Sequence, residues 1–281
     1  MITPFGYFHP SCVLQMNEGE ALLENGHIEH ADGFVEDETH LCQHPRFLHN
    51  GTMIKPGETG QAEETAEDGT IKHPPTVNGW LEAGNATTSN SYGELTATWK
   101  VPKVPTSHDG QDVYVFPGLE DDNNVVSILQ PVLQWWDPGP QWGMSNWNCC
   151  VGGNAQESAV VWVNVGDTLV GTISNNCAKG NTYCAKWNIT EKDQNTGKST
   201  TLNGTPSEGQ TFNWAFSGVV EAYNIVQCSD YPPDGGIVFN ATLYDQNLKS
   251  ISNPWSGWEL GGSPSCNYKV TINGNNTTLS Y

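Results

Sequence analysis

From residue 80 onward, apolar and polar positions take turns along the chain. Leu95, Ala97, Trp99 and Val101 alternate with Glu94, Thr96, Thr98 and Lys100, the period of two that belongs to a strand with one buried face. The same reading predicts strands over 112–116, 125–136, 159–173, 183–191, 198–202, 212–226, 236–244 and 268–272, divided by Gly, Pro and Asn turn signals. No segment keeps a helical period. Many short strands joined by tight turns predict an all-β fold, an antiparallel double-sheet β-sandwich of the jelly-roll or concanavalin-like kind. Gly197-Lys198-Ser199 imitates the end of a phosphate loop, but position 192 is Lys where that loop needs Gly, so a hairpin turn is expected there.

The first 75 residues follow another pattern. Their apolar stretches are short and are broken by Asn25-Gly26 and Asp32-Gly33, both hairpin-type turn signals. Here lie His9, His27, His30, His40, His44, His49 and His73, every histidine except His108, among acidic runs such as Glu36-Asp37-Glu38. Residues 1–75 therefore read as a small strand-and-turn extension ending in a linker over 55–76, with the sandwich domain over 76–281. His27 with His30, or His40 with His44, has the spacing of a metal site, but a solvated polar segment accounts for them and no metal or cofactor is expected. Imidazoles mixed with carboxylates change charge near pH ~6, so the extension also reads as a pH-sensitive cover, either released in acid or, if its protonated histidines are drawn to the acidic domain, docked more tightly.

Charge narrows the function. Thirty-one acids against 11 bases give −20, which excludes nucleic-acid binding by phosphate neutralisation and disfavours an anionic membrane surface. No apolar run approaches the ~18 residues of a membrane span. Eight cysteines lack the paired spacing of a zinc site, so disulfides are expected: Cys12–Cys42 in the extension, Cys177–Cys184 and Cys228–Cys266 in the sandwich, with Cys149 and Cys150 left to each other by elimination. Asn-x-Ser/Thr acceptors at Asn50, Asn85, Asn188, Asn203, Asn240, Asn275 and Asn276 agree with a secreted, monomeric glycoprotein. No leader segment is legible after Met1, so secretion rests on the cysteines and the acceptors.

Several hydrolytic machines are missing. The chain has no Asp-Thr-Gly or Asp-Ser-Gly, no His-Glu-x-x-His and no Gly-x-Ser-x-Gly. The sandwich holds one histidine, His108, in a polar loop. Catalysis there, if any, must use carboxylates, amides or a bound metal.

Two segments supply an amide and a carboxylate. Val126-Ser127-Ile128-Leu129-Gln130 follows Val113-Tyr114-Val115-Phe116-Pro117-Gly118-Leu119-Glu120, and Phe216-Ser217-Gly218-Val219-Val220-Glu221 comes later. Together with the stretch over 92–102 and Gly166-Asp167-Thr168-Leu169, they resemble the eqolisin family of glutamic peptidases, in order and over roughly 80–245. The resemblance implies a β-sandwich acid endopeptidase made as a precursor, acting on polypeptides without cofactor, with Gln130 and Glu221 as the catalytic pair. The chemistry is coherent. An amide never titrates, so it can serve an oxyanion at any pH beside one carboxylate. Trp80, Tyr114, Glu120, Trp136 and Trp142 are candidates to line the cleft. Two rivals stand beside this reading: a non-catalytic carbohydrate-binding sandwich using the tryptophans between Trp135 and Trp147 as a platform, and a sandwich glycoside hydrolase in which Glu221 has a second acid as partner.

Overall fold

Alternation is cleanest where one face of a strand meets solvent, and one of the two main sheets is built that way. In the computed structural model, residues 1–47, 52–58, 79–123 and 128–281 are described. His49, His73, the Asn50 acceptor, most of the predicted linker, and Val126 and Ser127 of the motif strand lie outside the described residues. In chain order the strands are β1 (Val13–Met16), β2 (Gly79–Thr87), β3 (Tyr92–Lys100), β4 (Asp112–Glu120), β5 (Ile128–Trp136), β6 (Trp142–Cys149) and β7 (Ala155–Ser158). They continue with β8 (Thr168–Asn175), β9 (Lys186–Asp193), β10 (Ser199–Pro206), β11 (Trp214–Tyr223), β12 (Ile237–Asp245), β13 (Ser256–Glu259), β14 (Lys269–Asn273) and β15 (Asn276–Ser280).

Two sheets stack as a sandwich. The first runs β13-β2-β11-β4-β5-β6-β7-β1 and the second β10-β9-β8-β3-β12-β15-β14. Every pairing is antiparallel except β7 with β1. In β3, Leu95, Ala97 and Trp99 are buried while Glu94, Thr96 and Thr98 are half-exposed, so the predicted alternation marks the second sheet's outer face. The predicted strand over 159–173 is two elements, Val161–Val163 and β8, because Gly166 turns the chain at φ +87°.

The first sheet is buried on both faces. One face packs on the second sheet through Leu81, Val113, Leu129, Trp135, Trp142 and Val220. The other lies beneath the extension, where Phe5, Phe8, Tyr114, Phe116, Val132, Trp147, Val219 and Tyr223 form a second apolar layer. Strand β1 also adds the extension to the sheet's edge, with Val13 opposite Ala155. All four expected disulfides are present, each within the extension or within the sandwich.

Prolines set the register at the centre. Val115 faces Leu133 and Leu119 faces Leu129, so Pro117 stands opposite Pro131 and Gly118 opposite Gln130. Neither proline has an N–H to lose from the ladder. On the other side of β4, the pairing with β11 shifts between Phe116 and Gly118, a bulge that absorbs the missing donor. Gly218 on β11 lies so near the second sheet that a Cβ there would sit 2.3 Å from Phe239 Cδ2. Gly218→Ala should therefore cost about 1–3 kcal/mol through overpacking, read as a lower thermal midpoint.

Candidate active site

Strand β11 carries Val219, Glu221 and Tyr223 on the face covered by the extension. Glu221 is fully buried there. Its Oε2 accepts from Trp80 Nε1 at 3.1 Å, and its Oε1 accepts from the Tyr223 hydroxyl. Burial pushes its pKa well up and the charge of Glu120 pushes the same way, partly offset by the two donors. Its burial under the extension thus favours the protonated carboxyl over the carboxylate.

Register determines what meets it. Glu221 stands opposite Tyr114 of β4, and Tyr114 stands opposite Gln134 of β5 on its other side. Trp136 Nε1 donates to the Tyr114 hydroxyl at 3.2 Å. That hydroxyl donates to the backbone carbonyl of Ile2 at 3.3 Å, while Tyr7 packs edge-on against Tyr223 with ring centroids 5.7 Å apart. A peptide group of the extension thus already sits over Tyr114. Beyond Gln134, its Nε2 donates to Glu157 Oε1 at 2.8 Å and its Oε1 accepts from Trp147 Nε1 at 3.1 Å. Ser145 Oγ donates to the same Glu157 oxygen at 3.0 Å. Burial raises the Glu157 pKa, against the donors Gln134 and Ser145.

The candidates from the sequence divide accordingly. Trp80, Tyr114, Trp136 and Glu221 come together. Glu120 shares their face and is raised to about 8 by burial. Gln130 lies on that face and is fully buried, but it is opposite Gly118, four residues from Tyr114 along β4. At ~3.3 Å per residue that is about 13 Å along the strands from the Glu221 position. Neither of its amide atoms has a hydrogen-bond partner among the described residues.

Trp142 is a correction. It points into the core between the sheets and is fully buried there, away from the face that carries Glu221, so it lines no cleft on that face. Trp135 shares that core and Trp147 is buried under the extension, so the tryptophan row makes no exposed platform.

Sequence reasoning missed Gln134, Glu157 and Asp112. Asp112 lies two residues before Tyr114 on the same face and is raised to about 7, by burial and then by Asp137. A signal for Gln134 was available, since Leu-Gln occurs twice in β5, as Leu129-Gln130 and Leu133-Gln134. Among the described residues no three His, Cys, Asp or Glu side chains gather to hold a metal ion. His108 pairs with Asp137 at 2.5 Å on the surface.

No family model matches the chain, and no curated protein matches it. Solved structures do. A scytalido-glutamic peptidase crystallised with a transition-state analogue inhibitor superposes with a TM-score of 0.55. SCP-B, a member of the eqolisin family in complex with the tripeptide Ala-Ile-His, superposes with 0.53. Each is 14% identical to this chain and covers 73% of it and 99% of its own length. That likeness shows the fold: the chain carries the glutamic-peptidase β-sandwich, as the motif strands led one to expect.

Proposed function

We propose that the chain is a secreted, monomeric, acid-active endopeptidase of the glutamic type, held inactive by its own N-terminal extension. Ionised Glu221 takes a proton from a water molecule, whose oxygen attacks the scissile carbonyl. An amide on β5, for which the family pattern offers Gln130, stabilises the oxyanion. Glu221 then passes the proton to the leaving amine as the C–N bond breaks. The observation that carries this reading is the Ile2 carbonyl hydrogen-bonded to Tyr114 beside the buried Glu221. A peptide bond accepted at that point is what a substrate would have to offer.

The test is cleavage of denatured protein by the purified chain across acid pH, before and after loss of the extension. New peptide termini support the reading. No cleavage in either form overturns it, and release of reducing sugar from polysaccharide would turn it towards the glycosidase.

The covering role has its own pH logic, and it favours the second of the two expectations from histidine content. His30 is paired with Glu20 and Glu36 at 2.9 Å each, and His40 Nε2 lies 3.0 Å from Glu36 Oε2. The Glu20 hydrogen bond, with Glu36 in support, raises the His30 pKa against burial. The His40 bond holds Glu36 below the usual carboxylate range. Burial works to raise Glu20, but Asn17 and His30 outweigh it and the net shift is down. A raised histidine contributes stability that is fully present below ~6.5 and is lost as pH rises through its folded value. A lowered carboxylate contributes stability that is lost only as pH falls through its folded value. The cluster therefore survives mild acidification, and protonating His30 tightens it. The extension should leave only below the usual carboxylate range, once Glu20 and Glu36 take up protons. Intact mass against time from pH 2 to pH 7 reads this directly. Complete loss at pH 5 with retention at pH 3 would contradict it.

A further inference from the structure

We propose that Gln134, oriented by Glu157, is the amide that works opposite Glu221, in place of Gln130. This rests on the peptidase reading above and concerns which residue completes its site. In-register residues on neighbouring strands lie ~4.8 Å apart. Gln134 and Glu221 flank Tyr114 from β5 and β11, so their Cα atoms are about 10 Å apart and their side chains stand on one face, on either side of the Tyr114 ring. Gln130 stands about 13 Å further along the strands.

Orientation separates the two amides as well. Trp147 Nε1 can only donate, so it fixes Gln134 Oε1, while Glu157 Oε1 accepts from Gln134 Nε2. One N–H of Gln134 then remains for an oxyanion or a water. Gln130 has nothing to orient it among the described residues. Glu157 is a positioning residue, and Ser145 Oγ in turn holds its carboxyl.

Gln134 bonds Glu157 and Trp147 and stands opposite Tyr114, and other titratable groups of this face are Asp112 on β4 and Glu221 and Tyr223 on β11. All the acids among them lose charge on acidification. The experiment is the pH profile of kcat on denatured protein, measured on acid-processed enzyme for Gln134→Glu, Gln134→Ala and Gln130→Ala, with circular dichroism as the folding control. Loss of one oxyanion donor costs about 100- to 1,000-fold, so Gln134→Ala should fall by that factor and Gln130→Ala by less than tenfold. Gln134→Glu is the variant that stays informative if the alanine misfolds. Its carboxyl donates only when protonated, so activity should persist at low pH and fall away at a lower pH than in wild type. For the positioning role, Glu157→Ala should lower kcat with little change in KM, and Glu157→Gln, which keeps an acceptor, should restore most of it. An unshifted Gln134→Glu profile, or a full loss in Gln130→Ala with Gln134→Ala active, would overturn the assignment and leave the peptidase reading intact. A wild type inert in both forms would overturn both.

Discussion

Replacing Glu221 with glutamine should leave a folded protein that no longer cleaves peptide bonds. The fold survives because the local hydrogen bonds can be re-formed. The Glu221 oxygens accept from Trp80 Nε1, which can only donate, and from the Tyr223 hydroxyl, which can donate or accept. A glutamine can turn its oxygen to Trp80 and its NH2 to the Tyr223 oxygen, so both contacts are kept and the Tyr223 O–H must turn to another acceptor. Chemistry does not survive, because an amide cannot take a proton from water. General acid–base catalysis is worth about 100- to 10,000-fold, and among the described residues no histidine bonds to Glu221 to take over its part. The measurement is kcat on denatured protein at acid pH, with thermal melting as the control. A variant that melts like wild type and still cleaves would remove Glu221 from the mechanism. Tyr223→Phe is the subtler companion. It removes a donor that lowers the Glu221 pKa, so the acid limb of the profile should move to higher pH while the maximum changes less.

How far the sequence carried this site depended on what each residue type could report. Strands of the second sheet announced themselves, because Leu95, Ala97 and Trp99 alternate with residues that meet water. Strands β4, β5 and β11 showed apolar runs instead, since a second apolar layer lies over their outer face. That layer is made by the extension, whose Phe5, Phe8 and Tyr7 look in sequence like scattered residues of a polar segment. Glu221 was legible as an acid in an apolar strand. Its amide partner was harder. Leu129-Gln130 and Leu133-Gln134 put a glutamine on the same face after the same residue, and a motif match alone does not set the register between strands. Register follows from pairings across β4, where Pro117 faces Pro131, and those are contacts between segments that composition does not report. The histidines misled for a related reason. Their number suggested repulsion on acidification, while two of them, His30 and His40, are paired with Glu20 and Glu36, where a positive charge is attracted.

Stability should fall steeply as the solution is made alkaline, and the cause lies in carboxyls that the mechanism does not use. Glu82 is fully buried on β2 and raised to about 8, chiefly by burial, with Lys269 N donating to its Oε2 at 3.1 Å. Glu120 is nearly as buried and is also raised to about 8. Glu191 points inward from β9 beside Trp187 and Ile189, and burial drives its pKa well up. An acid with a raised folded pKa keeps its proton in the native state after the unfolded chain has lost it. Its stabilising contribution is therefore whole below about pH 4.5 and declines as pH rises towards the folded value. Each such group withdraws about 1.4 kcal/mol per pH unit in that window, so Glu82 and Glu120 alone withdraw about 3 kcal/mol per unit. A net charge of −20 adds self-repulsion in the same direction. Against a typical margin of about 5–15 kcal/mol, the thermal midpoint should drop by about 10 °C or more between pH 5 and pH 8. Glu82→Gln isolates the effect. It keeps an oxygen to accept from Lys269 N but cannot ionise, so its loss of stability per pH unit should be smaller than wild type by about one proton's worth, about 1.4 kcal/mol. Guanidinium titrations at pH 5, 6, 7 and 8 measure that slope. A wild type whose stability is flat across this range would mean that these carboxyls are hydrated and ionised in the native protein.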